Sequence, residues 1–339
     1  MGQADAPLPP ALIVAGPTAS GKSALAAELA QRLNGVVINA DSMQVYRELR
    51  ILTARPTPAE EAAAPHALYG VRPAAEPSSA AWWRAAALDA MEGARAAGRL
   101  PILCGGTGLY LQALTHGLAD IPDPGPAART EARALLADLG PVALHARLTA
   151  ADPATARTLR PSDGQRLARA WEVWRGTGQG LTAWHAQAPT PPAWSFRMML
   201  LDPPRDTLRD AIEKRFTAML TAGALPEAAA LLALRLDPAL PALRAHGVPE
   251  LSAHLRGELT LEDARRRAVS ATSRYTKRQA TWFRHQAVVV PRATHTIHAR
   301  FAGRTQFSES LWRGLMNFIK GDGHGASHGA SPGPLGATT

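Results

Sequence analysis

The sequence predicts an α/β fold, a parallel-sheet core of the P-loop NTPase-like type interrupted by a helical insertion domain. Three observations predict it. The stretch "GPTASGKS", Gly16 to Ser23, follows the apolar run "ALIVA" and precedes the helix-spaced "ALAAELAQRL"; strand, glycine loop and helix form the context that a phosphate-binding loop requires. From Ala11 to about Gly117 short apolar runs alternate with helical patterns, the rhythm of a parallel sheet covered on both faces. From about Leu118 to Trp194 strand-like runs disappear and Arg- and Ala-rich helical stretches are punctuated by Pro and Gly, before "FRMMLL" resumes the strand pattern at 196–201. The expected organisation is a first part of the core over 11–117, a helical insertion over 118–195, a second part of the core over 196–315, and a disordered Gly-, Ser-, Ala- and Pro-rich tail over 321–339.

Each element has its local reason. "ALIVA" is the first strand. In the loop after it, Gly16, Pro17, Thr18, Ala19, Ser20, Gly21, Lys22 and Ser23, successive backbone N–H groups and a helix N-terminus converge on an anion. Lys22 adds a positive charge, and the Ser23 hydroxyl can ligate Mg²⁺. This selects a di- or triphosphate without selecting a nucleotide. Leu25, Leu29 and Leu33 then repeat at helical spacing, and "VVIN" is a second strand. It delivers Asp41 just past its C-terminal end, the sheet edge where ligands bind. Asp41 is a general base for an incoming nucleophile or the N-cap of a helix over "SMQVYREL"; the sequence leaves both open. "LPILC" is a third strand, opening into "CGGTGLYLQAL", where glycines permit close backbone approach and Thr107 can donate a hydrogen bond.

Beyond the insertion, "RDTLRDAIEKRFTAMLTAG" carries Leu208, Ile212, Phe216, Met219 and Leu220 as one apolar stripe. The stretch 261–286 is basic and includes Tyr275, Trp282 and Phe283, and "AVVV" at 287–290 is expected as a late strand. Asp202, after "MMLL", imitates a metal-organising carboxylate, but Pro203 and Pro204 follow at once and it is expected to be a strand-end turn residue. His324 and His328 have no further ligands nearby and do not make a metal site.

Composition bounds the partners. Across 339 residues, 37 Lys and Arg against 28 Asp and Glu leave a net charge of +9, which points to a polyanion, nucleic acid before membrane. The single cysteine, Cys104, excludes an internal disulfide and a CxxC zinc site. No signal-peptide pattern opens the chain and no run of about 18 apolar residues occurs, so a cytoplasmic protein with no membrane partner is expected.

"GPTASGKS", "DSMQVY…TARP", "GGTGLYLQAL", "RPSDGQRLARAWEV", "EKRFTAML" and "YTKRQATWFR", in this order, resemble the tRNA dimethylallyltransferases, also called tRNA isopentenyltransferases, from about Leu12 to Arg284. The resemblance implies that the cradle, Gly16 to Ser23, holds the diphosphate of dimethylallyl diphosphate, with Mg²⁺ as cofactor, and that the acceptor is N6 of the adenine 3′ of a tRNA anticodon. It implies Asp41 as base, Thr107 at the reacting centre and Arg215 on the diphosphate. It places Asp41, Ser42, Met43, Gln44 and Thr107 around the target adenine, and Arg129, Gln165, Arg166, Arg169, Arg244, His246, Gly247, Lys277, Arg278 and Gln279 on the anticodon stem-loop. Arg55 stands where the family usually has Lys, Leu52 where it has Gly, and Val248 and Pro249 replace a common Tyr-Lys/Arg pair. The zinc-binding C-terminal extension of eukaryotic members is missing, which points to the bacterial type, expected as a monomer. A P-loop small-molecule kinase and a non-catalytic RNA-binding P-loop protein are the competing readings; the basic stretches disfavour the first and Asp41 beside the cradle the second.

Overall fold

The computed structural model describes residues 7–187 and 189–321. The expected tail lies outside the described residues except for Gly321. The element order is β1 (Pro10–Ala15), α1 (Lys22–Leu33), β2 (Gly35–Asn39), α2 (Pro58–Ala63), β3 (His66–Ala67), α3 (Ala80–Ala96), β4 (Leu100–Gly105), α4 (Gly108–His116), α5 (Gly125–Ala151), α6 (Pro153–Ala156), α7 (Gly164–Thr177), α8 (Leu181–His185), β5 (Ser195–Leu201), α9 (Arg205–Thr221), α10 (Ala224–Ala233), α11 (Val248–Leu255), α12 (Leu261–His285), β6 (Thr294–Ile297) and α13 (Glu309–Lys320).

Six strands form one sheet in the order β3-β2-β4-β1-β5-β6, every pairing parallel. The centre of the sheet is apolar on both faces because helices cover both: β1 is buried from Ala11 to Ala15. Leu25 and Leu29 of α1 join Leu12, Val14, Ile102 and Met199 in the main core. Parallel strands finish on the same edge. Val14 is in register with Cys104 and Met199, and Asn39 also pairs with Cys104. The segments that leave β1, β2 and β4, namely the glycine loop, Ala40–Asp41 and Gly106–Thr107, therefore emerge side by side.

Two local expectations need correction. Residues 42–49 form turns, not a helix. Tertiary hydrogen bonds take the groups that a helix would use: Arg47 N–H donates to Arg72 O and Arg72 N–H to Val45 O, both at 2.9 Å or less, and the Gln44 side-chain amide donates to the carbonyls of Thr53 and Ala54, each at 2.9 Å. "AVVV" is not a strand either. Ala287 and Val290 are exposed, and Pro291 opens a short 3₁₀ turn. The last strand is β6, whose Thr294 pairs with Met198. The two-residue β3 was not foreseen.

The chain divides into two compact units. One runs to Leu111 and resumes at Ala193, and the other is Gln112–Pro192. The first holds the sheet. The second contains no strand among the described residues; α5 is broken at Gly140 (φ 73°) before Pro141, and Leu144, Leu148, Leu167 and Trp171 form a small core of its own.

One long-range contact fixes the turn segment after Asp41. Glu227, in the first turn of α10, accepts the backbone N–H groups of Arg50, Ile51 and Leu52, each at 2.8 Å. A carboxylate is suited to three converging amides because each bond is charge-assisted. Removing the acceptor leaves partly buried donors unmet. Glu227→Ala should lower unfolding stability by about 2 kcal/mol or more in urea denaturation, and Glu227→Gln, which keeps one oxygen, by less. Equal stability of Ala variant and parent would show that water replaces the carboxylate.

Candidate active site

The glycine loop is held in shape by its own backbone and, from far along the chain, by two side chains and one backbone N–H. Ala19 and Gly21 have left-handed backbone, φ 67° and 90°, and a Cβ at Gly21 would sit 2.0 Å from Phe301 O. Only glycine fits there. The Thr18 N–H and hydroxyl both donate to Gln279 Oε1 at 2.8 and 3.1 Å, while Gln279 Nε2 donates to Gly106 O at 2.9 Å. Arg300 Nε donates to Ala19 O at 3.0 Å and Phe301 N–H to Ser20 O at 2.9 Å. With these carbonyls occupied from outside, the loop's remaining polar face is free for an anion.

Lys22 is 9% exposed, and its Nζ approaches Pro17 O at 3.5 Å. Burial pushes its pKa below the usual lysine value, while Asp41 pulls it back up. Burial likewise lowers Arg215, with Asp41 opposing and Arg300 adding to the shift. The Cys104 thiol is pushed up to about 11, mainly by burial. It stays protonated beside Lys22 and offers it no counter-charge at neutral pH.

Asp41 is the carboxylate that faces these cations. The Asn39 side chain brackets it, accepting the Asp41 N–H at 2.9 Å and donating to the Asp41 carbonyl at 3.0 Å. Asp41 Oδ1 accepts Met43 N–H at 2.9 Å. With no helix at 42–49, the N-cap reading of Asp41 falls, and the carboxylate makes a single local turn. Thr107 is tied to the same segment: its hydroxyl accepts Ser42 N–H at 3.0 Å, and its own N–H donates to Ala40 O at 3.3 Å.

A cavity of about 320 Å³ joins these groups. Thr18, Lys22, Ser23, Asp41 and Arg215 line its polar side, and Leu52, Ile212, Phe216 and Met219 an apolar wall. Ser42, Met43, Gln44, Arg244, His246 and Arg278 also reach it. A second cavity of about 1010 Å³ meets the first at Lys22, Ser23, Arg215 and Met219. Gly16 is packed against Leu201, and Ser20 is fully buried; they shape the loop. Tyr275, whose phenol burial pushes up to about 12, lines the smaller cavity and lies tilted against His246, ring centroids 4.9 Å apart.

Other expected residues stand elsewhere. Gln279 is 5% exposed and spends its side chain on Thr18 and Gly106, which corrects its assignment to an RNA face; Lys277 and Arg278, its neighbours on α12, are exposed. Gly247 is buried behind the cavity wall, where a Cβ would lie 2.8 Å from Leu52 Cδ2 and 3.1 Å from Phe216 Cε2. Arg129, Gln165, Arg166 and Arg169 belong to the helical unit. Arg129 pairs with Asp123, Arg166 with Asp163 at 3.5 Å, and Arg169 with Glu172 at 2.6 Å. Asp202 pairs with Arg284 at 3.3 Å and lines neither cavity. Sequence reasoning missed Glu227, Arg300 and the wall residue Leu52 as parts of this region; none carries a local pattern that marks it.

The donor chemistry fits a magnesium ion bound together with a diphosphate. Ser23, which carries a hydroxyl oxygen, lines both cavities. No group of three or more His, Cys, Asp or Glu that could cage a metal exists among the described residues. Magnesium takes few protein ligands and completes its shell with phosphate oxygens and water.

His246 supplies a pH test. Burial holds its pKa below 6.5, with Glu250 opposing. The unfolded chain takes up a proton near pH 6.5 and the fold only at lower pH, so stability is full above that value and falls as pH drops through it. His246→Asn should flatten the acid limb of a melting-temperature profile between about pH 7.5 and 5. Superimposable profiles would show that His246 titrates alike folded and unfolded.

Comparison with known proteins agrees with this geometry. The family model described as IPP transferase matches residues 44–286, and one described as isopentenyl transferase matches residues 10–66. The chain is 62% identical over 311 residues to a tRNA dimethylallyltransferase of Granulibacter bethesdensis, covering 91% of this chain and 98% of that protein. It is 63% identical over 315 residues to one of Acidiphilium cryptum, covering 92% and 95%. Among solved structures, a tRNA isopentenylpyrophosphate transferase of Bacillus halodurans superposes with a TM-score of 0.63 at 33% identity, covering 92% of this chain and 96% of that one. A eukaryotic dimethylallyltransferase acting on tRNA superposes with a TM-score of 0.79 at 25% identity, covering 96% and 82%. The loop, the strand-end carboxylate and these matches along nearly the whole chain lead to one conclusion: the chain belongs to the IPP transferase family.

Proposed function

We propose that this protein transfers a dimethylallyl group from dimethylallyl diphosphate to N6 of the adenine 3′ of the anticodon in tRNA, releasing diphosphate, and that it does so as a monomer in the cytoplasm. The observation that carries the reading is Asp41 opening onto the same small cavity as the buried Lys22 and the half-buried Arg215. A carboxylate base and a cationic cradle are the two things that this alkylation needs. An exocyclic amine is a weak nucleophile and must lose a proton as it bonds to carbon; diphosphate is a stable leaving group only when its developing charge is matched.

In this reading the diphosphate sits on the loop from Gly16 to Ser23, against Lys22 and Arg215. The five-carbon group lies along Leu52, Ile212, Phe216 and Met219, where apolar surface keeps water from the allylic carbon. The adenine, drawn out of its stack, enters between Asp41, Ser42, Met43 and Gln44. N6 bonds to C1 of the allyl group, the C1–O bond breaks with its electron pair leaving on diphosphate, and Asp41 accepts the N6 proton. Thr107 holds the 40–42 segment in place. Ser23 would hold Mg²⁺, which when bound would offset diphosphate charge. Arg129, Gln165, Arg166, Arg169, Lys277 and Arg278 would bind tRNA phosphates and unpaired bases through charge and hydrogen bonds, with Arg244 and His246 at the cavity mouth.

Mass spectrometry of bulk tRNA incubated with the protein, Mg²⁺ and dimethylallyl diphosphate tests the reaction: a mass gain on one adenosine is expected, and its absence would overturn the reading. Asp41→Asn preserves size and should lower single-turnover transfer by about 10²–10⁴, with an unchanged melting temperature. A fall of only about threefold would remove the base. For the RNA side, Arg166→Ala with Arg169→Ala should flatten the salt dependence of stem-loop binding, whose log–log slope is roughly −0.7 per neutralised phosphate. An unchanged slope would take both arginines out of the interface.

A further inference from the structure

Arg300 is a cation that the mechanism above leaves unused. It sits in the segment between β6 and α13, far in sequence from the glycine loop, yet its Nε is 3.0 Å from Ala19 O, and it lines the larger cavity together with Lys22, Ser23 and Arg215. It takes part in no ion pair among the described residues, unlike Arg50 in the same cavity wall, which pairs with Glu61 at 3.0 Å. Its Nε bond to Ala19 leaves the two terminal nitrogens of the guanidinium to a ligand.

The segment holds this side chain in place. Phe301 N–H donates to Ser20 O at 2.9 Å. Phe301 is 2% exposed, and its ring packs on Phe307 at 5.2 Å and Trp312 at 6.3 Å between centroids. Gln306 closes the turn, donating to Arg300 O at 2.8 Å and accepting Ala302 N–H at 2.7 Å. The backbone just before Gly21 is thus fastened to the segment that carries Arg300.

Electrostatics gives this placement a purpose. Arg300 is close enough to act on the half-buried Arg215, and with Lys22, Arg50, Arg55 and Lys214 six cations border the larger cavity. The larger cavity does have carboxylates, Glu60, Asp206 and Asp210, but Glu60 caps the start of α2 through Thr57, and Asp206 lies in the first turn of α9. Like charges gathered in a partly buried space raise its energy until an anion enters.

We propose that Arg300 is a third cationic ligand of the donor's diphosphate, reaching it through its terminal nitrogens while its Nε braces the glycine loop. This rests on the prenyl-transfer reading for the identity of the anion and on the geometry alone for the presence of an anion. A diphosphate spanning the loop would touch Lys22 and Arg215 from the side of the smaller cavity and Arg300 from the side of the larger. The remote segment after β6 would then contribute directly to donor affinity.

The test is calorimetric titration of the full chain with inorganic diphosphate and Mg²⁺, using Arg300→Gln and Arg300→Lys. Gln keeps an N–H donor for Ala19 O and loses the charge; Lys keeps the charge. Loss of a charge-assisted contact should weaken binding by about 10-fold or more in Arg300→Gln. Arg300→Lys should recover most of it, and KM for tRNA should stay unchanged in both. Binding by Arg300→Gln within about twofold of the parent, or equal losses in both variants, would make Arg300 a brace only and overturn the proposal. Competition separates the sources of the anion: dimethylallyl diphosphate should displace inorganic diphosphate at lower concentration than ADP, and the reverse order would overturn the assignment to the prenyl donor. A parent that binds diphosphate in an Arg300-dependent way but transfers no prenyl group would sink the proposed reaction and leave the anion site standing.

Discussion

The site is organised around the cost of burying the Lys22 ammonium. A primary amine taken nearly out of water needs carbonyls and a carboxylate within reach, or it gives up its proton. Pro17 supplies a carbonyl and Asp41 the carboxylate. Holding Asp41 there requires Asn39, whose side chain brackets it, and Asn39 is fixed in turn by Trp83, whose indole N–H donates to the Asn39 carbonyl at 2.7 Å. Trp83 stacks on Tyr110, centroids 4.6 Å apart, at the start of the helix that follows Thr107. One buried charge is thus linked through a short series of hydrogen bonds and ring contacts to β2, α3 and α4.

The same logic explains why the apolar wall is built from distant pieces. Leu52 belongs to the turn segment after Asp41, and Ile212, Phe216 and Met219 to α9. Arg215 interleaves with them and donates to Thr53 O at 3.4 Å. Gln44 donates to that carbonyl as well, so charge, wall and turn segment meet at a single oxygen. The smaller cavity keeps its polar floor and apolar side in fixed relation because Glu227 and Gln44 hold the turn segment, with no regular secondary structure needed.

What could be read from the sequence follows the physics of range. The three strands β1, β2 and β4, the loop between β1 and α1, and the α9 stripe are written in local periodicity and glycine placement, and they stand where the pattern puts them. Asp41 could be placed at the sheet edge because a parallel strand fixes where its successor emerges. Its helix-capping alternative failed because "SMQVYREL" has helical texture but its backbone groups find Gly70 and Arg72 instead. "AVVV" has strand texture, but the place beside β5 is taken by "THTI", polar and unremarkable. Gln279 looks like one more polar residue of a basic helix; only the fold turns it inward. Glu227 and Arg300 act at sequence separations of more than 170 residues from their partners, and no local pattern encodes that.

The placement of α12 has a thermodynamic consequence. Its inward side chain Gln279 grips Thr18 of the glycine loop and Gly106 of the neighbouring one, while Lys277 on the same turn is exposed. Any shift of the helix axis that an outer contact favours must be felt at the loop, and any tightening of the loop must be felt outside. Linkage requires the two effects to be equal in free energy: whatever factor an occupied cradle adds to affinity on the outer face of α12, occupation of that face adds to affinity in the cradle.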